Sequence, residues 1–155
     1  MKMYSPIYFF AAVFIIVFTI YAAGGSYGLF INPPSLFITV ILSGILLLGA
    51  FSPIEIFSYF AAAFRKKTDD TKTIKHALNF FDTLQRYLLF SAFVGVIVGI
   101  ISMLVNLEDP EALGPGTAVC LLTLFYSLTL ILIIVAPFRA GLKKRLIEHG
   151  EMQEL

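Results

Sequence analysis

Within the apolar parts of this chain, the residues able to do chemistry are few and small. Gly116, Cys120, Thr123 and Ser127 recur at spacings of three and four, so on a helix they form one narrow, mildly polar face with Tyr126 beside it. In a bilayer such a face has two uses. It lines a water-filled lumen, because polar groups turn towards interiors, or it lets two helices pack closely with the hydroxyls bonded to the preceding turn. Gly95 and Gly99, in the run GVIVG, are a second small pair at a spacing of four, a pattern that permits close helix approach. Proton transfer or hydrolysis needs more than this. No Asp, Glu, Lys, Arg or His interrupts any of the long apolar runs, so the chain has no group of its own to carry a proton at mid-membrane depth. His76 and His149 stand alone in polar segments, and no Ser-His-Asp, HExxH or CxxC arrangement occurs. No catalytic residue, metal site or cofactor is expected, and the lone Cys120 can form no internal disulfide.

The elements that position these residues follow from hydropathy. Of 155 residues, 59% are hydrophobic and 14% charged, and the mean hydropathy is +0.90. That is too little charge for the surface of a soluble domain. Four apolar runs approach the roughly 20 residues a helix needs to cross a bilayer. The expected fold is an all-α membrane protein, a single membrane domain over 1–155. Four transmembrane helices span about 7–23, 36–64, 71–105 and 115–137, and a cytoplasmic tail follows at 138–155. The second helix is expected to continue into water towards Phe64, and the third to begin in the polar segment, where Ile74, Leu78, Phe81 and Leu84 share one face. Three prolines are assigned structural roles: Pro110 and Pro115 in the acidic, turn-rich connection 106–116, and Pro137 as the close of the fourth helix. Lys2 followed by a long apolar run reads as a retained first helix, not a cleaved leader.

Orientation comes from the basic residues. All eleven Lys and Arg lie near the N-terminus (Lys2), in segment 65–86 (six) or in the tail (Arg139, Lys143, Lys144 and Arg145). By the positive-inside rule both termini and the middle segment are cytoplasmic. The basic residues are expected to meet anionic membrane lipids. No basic stripe remains to suggest nucleic acid.

The stretch from Ala77 to Leu142 resembles the MotA/TolQ/ExbB proton-channel family. The resemblance rests on Gly95, Gly99, Met103, Asn106, Asp109, Pro110, Gly114, Pro115, Gly116, Ala118, Val119, Leu121, Leu122, Thr123 and Tyr126. They match a glycine-bearing third helix, an N-L-x-D-P-x-x-L-G-P-G loop and an A-V-A-L-L-T-T-L-Y-G helix start. Nearer the N-terminus, Gly24, Gly25, Phe30, Ile31, Pro34, Ser35, Leu36 and Gly44 are similar to the first hairpin of the MotA branch, with Asn32 in place of its acidic residue. The resemblance implies a ring-forming subunit, a homo-oligomer and by expectation a pentamer, in a bacterial inner membrane. The ring encloses the helices of a single-span MotB/ExbD/TolR-like partner dimer, whose aspartate carries the proton. It implies that the face of Gly116, Cys120, Thr123, Ser127 and Tyr126 lines the ion pathway. Two family threonines are replaced by Val96 and Leu124, which argues against a sodium site. The short segment 65–86 has no room for the large cytoplasmic domain of flagellar members. A non-conducting scaffold that holds a partner helix or lipid is the alternative. A small transporter is disfavoured by the lack of an internal repeat or a broken span.

Overall fold

A computed structural model of the chain describes residues 6–22, 27–64 and 70–153. Lys2, Gly24, Gly25, Arg65, Lys66 and Lys67 lie outside the described residues. The described chain is helical throughout, without strands. Helix α1 (Pro6–Ala22) is apolar and leads, by way of a short 3-10 turn (Tyr27–Phe30), to the second rod. That rod is built from α2 (Pro33–Leu36), a π-helical segment (Phe37–Leu42) and α3 (Ser43–Ala50). Helix α4 (Pro53–Phe64) follows, then α5 (Thr71–Val105) and α6 (Pro110–Leu130). A second π segment (Ile131–Val135) joins α6 to α7 (Ala136–Gln153) in one continuous rod. Three rods, Pro33–Ala50, Thr71–Val105 and Leu113–Glu148, are long and apolar enough to cross a membrane. Helix α1 has 17 residues, about 26 Å of rise.

Short polar residues start the helices. Asn32 accepts from the Ser35 N–H ahead of Pro33 and Pro34, Asp70 accepts from the Lys72 N–H, and Asp109 accepts from the Glu111 N–H ahead of Pro110. Each occupies one of the amide donors a helix leaves unpaired at its start, and proline at the first position forfeits none.

Three boundaries differ from the sequence expectation. The helix expected over 36–64 is broken, because Phe51 is extended (φ −137°, ψ 144°). Pro53 explains it: it has no N–H for the Gly49 carbonyl, its ring clashes with that carbonyl in a continuing helix, and it disfavours a helical Ser52, so the helix stops before it. Ser52 and Glu55 then begin α4 as a reciprocal pair, the Ser52 N–H donating to Glu55 Oε2 at 2.8 Å and the Glu55 N–H to Ser52 Oγ at 3.4 Å. The Ser52 backbone N–H first, and then the Ser52 side chain, hold the Glu55 carboxyl below the usual carboxylate range. The fourth rod begins at Pro110, so Gly114, Pro115 and Gly116 lie inside α6. The Asp109 cap starts it, and Pro115 forfeits only one ladder bond. Nor does Pro137 close the rod. It lies one residue beyond the π segment, whose wider ladder lets the chain pass a residue without an N–H, and the helix runs on to Gln153.

The largest fully buried side chains gather at one end of the bundle. Ile74, Ala77, Phe80 and Phe81 on α5 are fully enclosed, with Phe51, Tyr59, Phe60 and Phe138 around them in mostly edge-to-face contacts. Arg145 donates to the Ala62 and Ala63 carbonyls at 3.1 and 3.3 Å, satisfying acceptors at the end of α4. Arg139 pairs with Asp82 at 2.5 Å and donates to Gln85. Large apolar residues do the packing beside water, where burial is driven by exclusion from it. Along the apolar runs, small residues replace them.

Candidate helix-packing and ion-pathway site

Helices α5 and α6 form an antiparallel pair, the most extensive contact in the chain. The glycines set its spacing. A Cβ placed on Gly95 would lie 2.7 Å from Thr123 Cβ, and one on Gly99 2.5 Å from Cys120 Sγ and 2.7 Å from the Gly116 carbonyl oxygen. A Cβ on Gly116 would meet Met103 Cγ at 2.5 Å. The backbones therefore touch without side chains between them, the arrangement that serves helix association where no hydrophobic drive exists.

This contact occupies the face expected to line a lumen. Within the protomer Gly116, Cys120 and Thr123 pack against Gly99, Met103 and Gly95 of α5, and Ser127, one turn further along α6, is buried. The reason is shape: a stripe of small residues is the only part of α6 that can approach Gly95 and Gly99. The hydroxyl and thiol are spent there too. Thr123 Oγ1 donates to the Val119 carbonyl at 2.8 Å, with the Cys120 carbonyl at 3.1 Å, and Cys120 Sγ donates to the Val96 carbonyl at 3.3 Å. Tyr126 stands apart. Its hydroxyl donates to the Phe30 carbonyl and accepts from the Asn32 N–H at 3.0 Å, which ties the turn before α2 to α6. Phe125 meets Phe30 edge-to-face at 5.9 Å beside it.

Sequence reasoning missed the third side of this seam. Ser35, Thr39 and Ser43 are buried one turn apart along the second rod, with Ser35 Oγ 3.5 Å from the Val119 carbonyl of α6. Ser91, one turn before Gly95, is buried as well. The signal was available as hydroxyl residues spaced by four. Three helices thus share one small, polar seam inside a single chain.

The outer surface of α6 is different in kind. Leu121, Leu124 and Leu128, with Leu132 of the following π segment, form an exposed apolar ridge, with Thr117 at its N-terminal end. Val96, on α5, is half-buried. Of the family's threonine pair, therefore, the retained member Thr123 is buried, and the replaced one, Leu124, is exposed.

Comparison with known proteins adds the following. The model of the MotA/TolQ/ExbB proton channel family matches residues 58–153. Motility protein A of Aquifex aeolicus (strain VF5) is 48% identical over 58 residues, 36% of this chain and 23% of that protein. Chemotaxis protein PomA of Vibrio alginolyticus is 40% identical over 52 residues, 34% of this chain and 21% of that protein. The protein YtxD of Bacillus subtilis (strain 168), whose role is uncharacterized, is 40% identical over 52 residues, 34% of this chain and 19% of that protein. The matched stretches span about a fifth of these relatives' length.

Proposed function

We propose that this chain, which belongs to the MotA/TolQ/ExbB proton channel family, is a ring-forming subunit of a proton-driven, stator-type complex in a bacterial inner membrane. It works as one membrane domain of four spans, α1 being the first, with both termini cytoplasmic. A single-span partner dimer supplies the ion-binding aspartate. The observation that carries this reading is that the family match extends through a closely packed α5–α6 pair whose apolar runs hold no ionisable residue. A proton carrier must then come from outside the chain. With Gly116, Cys120, Thr123 and Ser127 spent on packing inside the protomer, their part in the pathway is to hold its wall rigid from behind. The leucine ridge of α6 is the surface left for neighbours and the partner.

That ridge also favours a second reading. If α6 faces the ring's interior, its wall here is leucine where the family pattern has a threonine, and a dry apolar constriction resists ion passage. The subunit would then be a non-conducting scaffold holding the partner's helices. Proton flux into liposomes separates the two. The ring is reconstituted alone, with the single-span product of a neighbouring reading frame, and with that partner's membrane aspartate changed to asparagine. Flux that needs the partner and is lost with its aspartate supports the motor. Assembly with the partner and no flux in any combination supports the scaffold.

A further inference from the structure

Helix α4 carries a surface that neither the channel reading nor the aromatic core uses. Its inner face, Ile56, Tyr59, Phe60, Ala62 and Ala63, packs on α5 and α7. Its outer face presents Ile54 and Phe57, 82% and 77% exposed, beside Ala61. Ile54 is the most exposed large apolar side chain among the described residues, and both lie beyond the apolar run that ends near Phe51. We propose that α4 is an interfacial helix: it lies along the anionic cytoplasmic surface of the bilayer, with Ile54 and Phe57 inserted at the boundary between head groups and acyl chains.

Three observations select a lipid surface as the occupant. The first is direction. The extended Phe51 ends the axis of the second rod, and the rings of Phe51, Tyr59 and Phe60 all pack on Phe80, at 5.3, 5.5 and 5.5 Å. A straight helix would separate residues 51 and 60 by about 13 Å along its axis, so α4 turns aside where a continuing rod would descend into water. The second is depth. The fourth apolar run ends at Pro137, and the next residue, Phe138, meets Phe81 of α5 at 5.5 Å and Phe60 of α4 at 6.2 Å. That puts α4 within a residue or two of the apolar boundary, which is head-group depth in a bilayer whose polar zones add about 5–7 Å to each side of the hydrocarbon. The third is charge. The sequence continues from α4 directly into Arg65, Lys66 and Lys67, and basic residues beside an apolar helix face are what an anionic leaflet attracts. The one hydroxyl on this face, Ser58, is already bonded to the Glu55 carbonyl at 2.8 Å, so contact with lipid strands no donor.

The chain has no tryptophan, so Phe57→Trp gives a single reporter at an exposed position, and Ile54→Trp a second should the first disturb the fold. Each is placed in the assembled protein, in vesicles of phosphatidylcholine with phosphatidylserine. Bromines near the head-group end of the acyl chains are expected to quench both tryptophans more than bromines at the bilayer centre, and aqueous acrylamide to quench them little. Brominated phosphatidylserine should quench more than brominated phosphatidylcholine, and this excess should disappear when Arg65, Lys66 and Lys67 are all changed to glutamine. Quenching by acrylamide but not by bromolipid overturns the proposal, as does protection from both that is lost when the oligomer dissociates, which assigns the face to a neighbouring subunit. Equal quenching by the two lipids overturns the anionic part. The inference rests on the cytoplasmic placement of this connection. Protease access to the tail in sealed vesicles scores that placement separately, and the depth result holds for either leaflet.

Discussion

Replacing Gly99 with alanine is expected to destabilise the fold by about 3 kcal/mol, at the upper end of the usual range for overpacking, and no truncation at Cys120 should rescue it. The new methyl group would meet Cys120 Sγ at 2.5 Å, but also the Gly116 carbonyl at 2.7 Å and the Cys120 backbone nitrogen at 2.9 Å. Those backbone atoms stay whatever side chain is removed, so the two helices must part. Alanine's better helix propensity returns only about 1 kcal/mol. Gly95→Ala differs in the nature of its obstacle, because its three nearest atoms all belong to the Thr123 side chain. It should cost about 1–2 kcal/mol and be largely relieved by Thr123→Gly, a favourable coupling of about 1–2 kcal/mol in a double-mutant cycle. Midpoints of unfolding on titration from a mild detergent into dodecyl sulfate measure all of these. An unchanged midpoint for Gly99→Ala, or strict additivity at Gly95 and Thr123, would contradict the α5–α6 contact as described.

The second large effect is expected at Tyr126. Its hydroxyl serves two backbone groups at once, the Phe30 carbonyl and the Asn32 N–H. Phenylalanine preserves the ring, and so the neighbourhood of Phe125, but leaves both groups unpaired, at about 1–3 kcal/mol. The cost should appear locally. The Ile31, Asn32, Ser35 and Leu36 amides should exchange faster in Tyr126→Phe, while those of the aromatic core around Phe80 keep the parent's protection. Unchanged exchange at the start of α2 would mean that water or a neighbouring helix already serves these groups.

The reach and the limits of the sequence both show in this seam. Spacing alone put Gly116, Cys120, Thr123 and Ser127 on one face, and Gly95 with Gly99 on another. Spacing does not say what a face meets. A stripe of small and hydroxyl residues suits a bore and a close helix contact equally, and that this one packs on α5 within the protomer is a tertiary fact that spacing does not state. The stripe of Ser35, Thr39 and Ser43 was overlooked because the bulky Leu, Ile and Phe residues between them dominate hydropathy. The break at Phe51 was signalled by Ser52-Pro53, yet the apolar residues on either side suggested one helix. Pro137 misled in the opposite sense, since nothing local announces the π segment that carries the chain past it. The family was legible because the loop and helix start around Asp109-Pro110 and Gly114-Pro115-Gly116 are specific in order and spacing, even though all of these but the capping Asp109 prove helical.

The ring itself is the claim on which the functional account depends, and a density map of the chain extracted directly into lipid nanodiscs tests it most directly. The account predicts a closed ring of parallel subunits, five in number by the family's pattern, each keeping Gly95 and Gly99 against its own α6. The leucines at 121, 124, 128 and 132 should be turned to the axis or the partner. A monomer, an antiparallel dimer, or a ring whose leucine ridge is covered only by acyl chains would contradict it.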